Sequence, residues 1–211
     1  MKNFSAIAFL LGTTVSGFAQ GTVRFSNDSS DLASPPDRFV RYDSTATFVN
    51  PAYTAGSRVF SNGTPGLRAQ LYYGASTANE SSLVAVTTAP TTFKNSTSAS
   101  VGSWFSGGRT LDGFTSGTLN LQVRVWDINL ASSFEAATAL GVAYTGLLGA
   151  SQIFTYTIPT DPLASLNLFN MENFQGFGIG QVVPEPSVVA LALIGCGIFF
   201  VSAKWRSRGS L

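Results

Sequence analysis

Hydrophobic and polar residues alternate along three stretches of the chain, as they do in β-strands that bury one face. The stretches are residues 21–26, 67–74 and 119–127. We expect each of them to be a half-buried strand of an antiparallel sheet, with its polar face toward solvent. The third alternates most clearly: one face carries Leu119, Leu121, Val123 and Val125, and the other carries Asn120, Gln122, Arg124 and Trp126.

Shorter apolar segments and turn-forming residues fill the rest of the body. A helix of one or two turns is expected over residues 133–140, ended by Gly141. Short strands joined by Gly-rich turns are typical of an antiparallel β-sandwich or jelly-roll-like domain, so the predicted fold class is mainly β. The further strands are expected at 58–60, 83–88, 92–94 and 152–158, and the turns at 62–66, 106–108 and 112–113.

The first residues have the features of a secretory signal peptide. Lys2 precedes a short apolar run, and Gly17 and Ala19 are the small residues of an export cleavage site before Gln20. We therefore expect residues 1–19 to form a signal helix that is removed by a cut between Ala19 and Gln20.

A second apolar run, the 16 residues 188–203, is followed by Lys204, Arg206 and Arg208. As a helix it is about 24 Å long at about 1.5 Å per residue, somewhat short of the roughly 30 Å hydrocarbon core of a bilayer. Trp205 can lie at the interface and extend the match. Because Lys and Arg are retained on the cytoplasmic side, we expect one transmembrane helix with the body outside the membrane.

Pro184, Glu185 and Pro186 stand just before this apolar run. The two prolines hold the segment extended, since they lack the N–H donors that a helix or sheet requires. The tripeptide, the apolar run and the basic end, behind a signal peptide, together resemble the PEP-CTERM sorting signal. The resemblance implies that residues 183–211 are a sorting signal and that residues 20–182 form an extracytoplasmic domain.

The same resemblance implies how the protein is processed. Proteins with this tail are substrates of exosortases, membrane proteases that cut near the Pro-Glu-Pro and pass the body to the cell surface or extracellular matrix. Lys204, Arg206 and Arg208 then correspond to the cytoplasmic stop. Residues 19–25, 66–72 and 121–127 also resemble stretches shared by many PEP-CTERM proteins of one group that has no assigned activity.

The composition excludes several kinds of chemistry. The 211 residues contain no His and one Cys, which excludes imidazole catalysis, intrachain disulfides and thiolate metal sites. A net charge of +1 provides no long-range field for nucleic acid. We therefore expect no cofactor, no metal, no nucleic-acid partner and no enzymatic activity.

One alternative function is a carboxylate-based polysaccharide hydrolase, which ranks third among the functions considered. Such an enzyme needs two acids at a fixed separation and no imidazole. The candidates are Asp112, Asp127, Glu135 and Glu172. Asp127 ends the clearest strand and Glu135 opens the predicted helix. Both positions have a structural explanation, a capped turn and a stabilised helix start, and we favour that explanation.

Glycan binding through exposed aromatic side chains is the second interpretation. Trp104 and Trp126 are the candidate contacts, and Trp126 is the more suggestive because it lies on the polar face of its strand. The alternative is that this face packs beneath a second layer or the predicted helix. Residues 27–31 similarly offer either a calcium loop or a solvated loop.

These observations predict an exported protein that is anchored through its C-terminal helix and then delivered to the cell surface or extracellular matrix. Its expected role is structural or adhesive rather than enzymatic. The expected partners are an exosortase-type protease, the membrane and an exopolysaccharide.

Overall fold

The computed structural model of the chain describes residues 21–28, 37–60, 66–160 and 169–183. The helices within these ranges are α1 (Ala46–Val49) and α2 (Phe134–Leu140), and 3-10 turns cover Glu80–Ser82 and Gly141–Ala143. The strands are β1 (Gly21–Ser26), β2 (Arg41–Tyr42), β3 (Leu67–Ala75), β4 (Val84–Ala85), β5 (Thr91–Thr92), β6 (Phe105–Leu111), β7 (Gly117–Asp127), β8 (Leu148–Ala150), β9 (Phe154–Ile158) and β10 (Gly178–Ile179).

The predictions for the two ends of the chain fall outside the described residues. Among the residues that are described, no helix is long and apolar enough to cross a membrane. Four interpretations of the sequence therefore stay predictions. They are the signal peptide with its cleavage point between Ala19 and Gln20, the sorting motif Pro184, Glu185 and Pro186, the transmembrane run 188–203, and the cytoplasmic stop Lys204, Arg206 and Arg208.

The largest sheet has six strands, and the antiparallel pair β3–β7 forms its centre. The pairing runs from Leu67 opposite Asp127 to Ala75 opposite Leu119. The short strands β4 and β5 pair with the outer edge of β3, and β8 and β9 pair with the outer edge of β7. The prediction of a mainly β fold with antiparallel sheets and few helices is confirmed.

Two smaller sheets join distant parts of the chain. Strand β1 pairs with β6 in antiparallel fashion, and the backbone N–H of Gly21 donates to the carbonyl of Phe114 at 2.6 Å. Strand β10 pairs with β2 in parallel, with Ile179 opposite Tyr42. The first and last described strands are therefore both held by hydrogen bonds to the body.

One apolar core is shared by these sheets, which is where the burial of apolar side chains stabilises the fold. Leu71 of β3 and Val123 of β7 are fully buried in it, together with Val23 of β1 and Ile179 of β10. In β7 the core face is the predicted set Leu119, Leu121, Val123 and Val125, so the inward face of the clearest strand is confirmed.

The helix α2 begins and ends as the sequence predicts. The hydroxyl of Ser133 accepts the backbone N–H of Ala136 at 3.1 Å, and Gly141 ends the helix with a positive φ of 52°. The other predicted strands are shorter in the structure than in the prediction. Strand β4 lies within the predicted 83–88, β5 overlaps the predicted 92–94, and β9 lies within the predicted 152–158. The predicted strand 58–60 is reduced to one bridge, between Arg58 and Arg41.

The turn predicted at 106–108 is wrong, because these residues lie inside β6. Gly108 pairs with Arg24 of β1, and the register shifts between Arg24 and Ser26, where the strand is irregular. Gly107 adopts a φ of 70° at this point, which only glycine adopts without strain. The two glycines therefore bend a strand rather than end it.

Candidate functional site

The two candidate glycan contacts, Trp104 and Trp126, are both buried, and for Trp126 the alternative interpretation, that its strand face packs beneath the predicted helix, is confirmed. Trp126 is 1% exposed, and its indole Nε1 donates to the carbonyl of Ala131 at 3.0 Å. It packs with Ala137 of α2 and with Tyr144, so the short helix covers it. Trp104 is fully buried among other aromatic rings, with centroid distances of 5.3 Å to Phe25, 5.4 Å to Phe93 and 5.8 Å to Phe174.

The polar face of β7 is also covered at Gln122 and Arg124, so the expectation that it faces solvent is wrong there, whereas Asn120 is half-buried and Thr118 is exposed. Gln122 and Arg124 are 2% and 6% exposed. The guanidinium of Arg124 donates to three groups: Nε to Gln122 Oε1 at 2.8 Å, Nη2 to the Glu80 carbonyl at 2.7 Å, and Nη1 to Glu135 Oε1 at 3.1 Å. Its Cζ lies 4.0 Å from the ring centroid of Tyr72 and 5.1 Å from that of Phe134.

Charges within this cluster are arranged around Arg124. Burial raises the pKa of Glu135, but hydrogen bonds from its own N–H and from the Tyr72 and Ser133 hydroxyls outweigh it, and with the charge of Arg124 they leave the pKa below its ordinary value. Burial, and next the hydrogen bond to Glu135, raise the pKa of Tyr72. At neutral pH the cluster thus holds a carboxylate, a guanidinium and a neutral phenol.

A groove of about 600 Å³ lies beside this cluster, between α2 and the turn at Glu80–Ser82. Glu80 and Glu135 both line it, and Glu80 Oε1 accepts a hydrogen bond from Gln122 Nε2 at 3.1 Å. A hydrolase would need one acid whose pKa is raised, so that it carries the proton to the leaving group. The pKa of Glu135 is lowered, which makes it an anchor for Arg124 and a poor general acid.

The remaining candidate acids are not gathered around this groove. Asp127 is buried, and its Oδ1 accepts the backbone N–H groups of Gly66 and Asn129, both at 3.0 Å, so it organises a turn. Asp112 lies in the turn after β6, where its carbonyl accepts the Tyr73 hydroxyl at 3.4 Å. Glu172 is exposed on the segment before β10.

Glu172 lines a separate polar pocket of about 300 Å³. The pocket lies where the end of β9 meets residues 170–173, and its walls carry two carboxamides, a carboxylate and a hydroxyl. Sequence reasoning identified only Glu172 of this set, as one of four candidate acids of a hydrolase. The described lining is Tyr156, Thr157, Pro159, Asn170, Glu172 and Asn173.

An apolar groove of about 470 Å³ lies on the outer face of the β1–β6 pair. Its most exposed ring is Phe105, which is 57% exposed and has the Arg24 guanidinium 5.2 Å from its centroid. Gly107, Gly108 and Phe169 complete much of its lining. The three residues of β6 in this lining, Phe105, Gly107 and Gly108, are aromatic or small. Apart from Arg24, the described lining is uncharged.

Asn27, the first residue of the candidate calcium loop 27–31, uses its side chain to bind other parts of the chain. The Oδ1 of Asn27 accepts the backbone N–H of Trp104 at 2.7 Å, and its Nδ2 donates to the carbonyls of Arg38 and Gly102 at 3.0 and 2.9 Å. Asn27 therefore ties three segments of backbone together. Throughout the part of the chain that the structure describes, no group of three or more His, Cys, Asp or Glu side chains is placed to hold a metal ion.

Comparison with known proteins assigns no family to the chain. No family model matches it, and no curated protein and no solved structure is similar to it. The functional argument therefore depends on the residues and on the geometry of the described body.

Proposed function

We propose that the chain is an exported protein of PEP-CTERM type whose body, a β-sandwich, has a non-enzymatic structural or adhesive role at the cell surface or in the extracellular matrix. The signal peptide 1–19 directs export. The tail 183–211 holds the body at the membrane until an exosortase-type protease cuts near Pro184–Pro186.

The observation that carries this proposal is where the two processing points lie relative to the hydrogen-bonded body. Strand β1 begins at Gly21, directly after the predicted cut between Ala19 and Gln20. At the other end, Gly180 exchanges two backbone hydrogen bonds with Leu148, and Thr45 donates to the carbonyl of Gln181 at 3.1 Å. Both cuts would therefore leave every described strand intact, as release of a folded body requires.

The β-sandwich form of the body is supported by its shared core. Side chains from the β1–β6 pair and from the six-stranded sheet pack in one cluster, as the inner faces of two stacked sheets do. A structural role is supported by the use of the polar residues: Asn27, Asp127 and Arg124 all bind other parts of the chain.

The experiment that tests the proposal compares the wild-type chain with the triple variant Pro184→Ala, Glu185→Ala, Pro186→Ala in the native cells. We expect the wild type to lose both ends, seen as an intact mass beginning at Gln20 and ending near residue 184, and to leave the membrane fraction. The variant should lose only the signal peptide and stay in the membrane.

The double variant Pro35→Ala, Pro36→Ala is the control, because it removes two adjacent prolines far from the tail. It should be processed like the wild type. If the wild-type protein keeps residues 184–211 and stays membrane-bound, the Pro-Glu-Pro segment is a stalk and the sorting proposal is wrong.

A further inference from the structure

The polar pocket beside β9 brings together two carboxamides, a carboxylate and a threonine hydroxyl, those of Asn170, Asn173, Glu172 and Thr157. Asn170 is 8% exposed and lies in the wall of the pocket. A carboxamide carries two N–H donors and an acceptor oxygen, so a ligand at this wall can meet both kinds of group.

The neighbouring groups are held in fixed positions. The Nδ2 of Asn173 donates to the carbonyl and hydroxyl of Thr155 at 3.0 and 3.2 Å, which leaves Oδ1 as its acceptor. The hydroxyl of Thr157 lies 3.0 Å from that of Thr118. Tyr156 is 4% exposed, and its hydroxyl donates to the Thr22 carbonyl at 2.6 Å, so its ring is a fixed part of the wall.

This set of groups suits a ligand with several hydroxyls. Carboxamides both donate and accept, a carboxylate accepts strongly, and together they match the mixed donors and acceptors of a sugar ring. The ring of Pro159 offers an apolar surface for the C–H face of such a ring. A volume of about 300 Å³ lies at the lower end of small-molecule sites, which suits one or two sugar units.

The charge of the pocket selects among sugars. Glu172 is the one charged residue among the described lining residues, and it is an acid. A uronate or a sulfated sugar would meet a carboxylate here, whereas a neutral hexose or N-acetylhexosamine would donate its hydroxyls to it.

We propose that the pocket formed by Thr157, Pro159, Asn170, Glu172 and Asn173 binds a neutral hexopyranose unit of a polysaccharide. The proposal deepens the adhesive role and rests on it for the place where the ligand is met, outside the cell. The proposed glycan site is thus this amide-lined pocket and not the buried tryptophans. The described residues of the pocket include no tryptophan.

The test measures binding of defined oligosaccharides to the purified full-length chain in detergent by calorimetry. The probes are cellohexaose and chitohexaose as neutral ligands and hexagalacturonate as the acidic one. Glu172→Gln and Asn173→Ala change exposed side chains, and each should weaken binding of the neutral probes about tenfold or more, the size expected for one lost hydrogen bond to a charged or fixed group. Asn95→Ala, another exposed asparagine, is the matched control and should leave binding unchanged.

Asn170→Leu keeps the branched shape and the number of heavy atoms while it removes the amide, and it should abolish measurable binding. Its melting temperature is recorded alongside, and if this variant unfolds, Asn173→Ala and Glu172→Gln still decide the outcome. The proposal is overturned if neither neutral probe binds at millimolar concentration, if the variants bind like the wild type, or if hexagalacturonate binds more tightly than both. Because the assay needs no export or cleavage, failure here leaves the mass measurement of processing unaffected.

Discussion

The two faces of the central β3–β7 pair are both buried, but they are buried by different chemistry. The inner face is apolar from Leu119 to Val125 of β7, with Leu71, Leu121 and Val123 fully removed from solvent. The outer face presents Gln122 and Arg124, whose polar atoms are satisfied by groups brought over them by α2 and by the turn at Glu80–Ser82.

The comparison shows that an apolar face and a polar network place different requirements on the side chains that can occupy them. Apolar side chains need only fill space with the right volume, because their contacts are not directional. The outer face needs each donor to meet an acceptor, because an unsatisfied polar group inside the protein is costly. The outer face should therefore be the less tolerant of a lost polar atom.

The largest effect should come from removing the centre of the outer network. Arg124→Met keeps much of the volume but leaves the Glu80 carbonyl and Gln122 Oε1 without their donor, so we expect a loss of about 2 kcal/mol in the free energy of unfolding. Denaturant unfolding measures it. Arg68→Met, on the same face of β3, is the control: Arg68 is half-buried and, among the described residues, its guanidinium donates one hydrogen bond, to the Leu67 carbonyl, so the change should cost less than half as much.

A smaller effect should separate the two buried tryptophans. Trp126→Phe on the outer side loses the hydrogen bond to Ala131, whereas Trp104→Phe in the inner core removes an indole N–H that has no hydrogen-bond partner within the described part of the chain. With similar losses of packing, Trp126→Phe should be more destabilising by about 1 kcal/mol. Equal unfolding midpoints for the two variants would mean that the hydrogen bond adds nothing to the covered face.

The smallest effect concerns pH. The folded-state pKa of Glu135 lies below its ordinary value of 4.5, so its carboxylate stabilises the fold above about pH 4.5, and this contribution is lost as the pH falls through the lowered value. Glu135→Gln should cost about 0.5 kcal/mol at pH 7, since the pair is partly exposed, and should flatten the acid limb of the stability curve. An acid limb for Glu135→Gln that is as steep as that of the wild type would contradict this role of the carboxylate.

Alternation predicted which residues of β7 share a face, because a strand has a fixed period of two. It left open whether the polar face is exposed or covered, because the cover comes from Glu80 and from α2, which lie far from each other in sequence. The strands β2 and β10 were missed for a related reason: each has two residues and is defined by its pairing with a segment far away in sequence. Asn170 carried no signal, since its place in the pocket depends on how β9 meets residues 170–173 in the folded chain.

The pairing of β1 with β6 and of β2 with β10 has a consequence for the order of folding. The chain is synthesised from its N-terminus, so Gly21 can pair with Leu111 only after residue 111 has been made. Tyr42 can pair with Ile179 only after β10, the last described strand, has been made. Such distant pairings close slowly, because the intervening chain has to be ordered first. The body therefore completes its hydrogen bonding only when nearly all of it has been made, and any chain that stops before residue 178 lacks the parallel partner of β2 and exposes that edge of Arg41 and Tyr42.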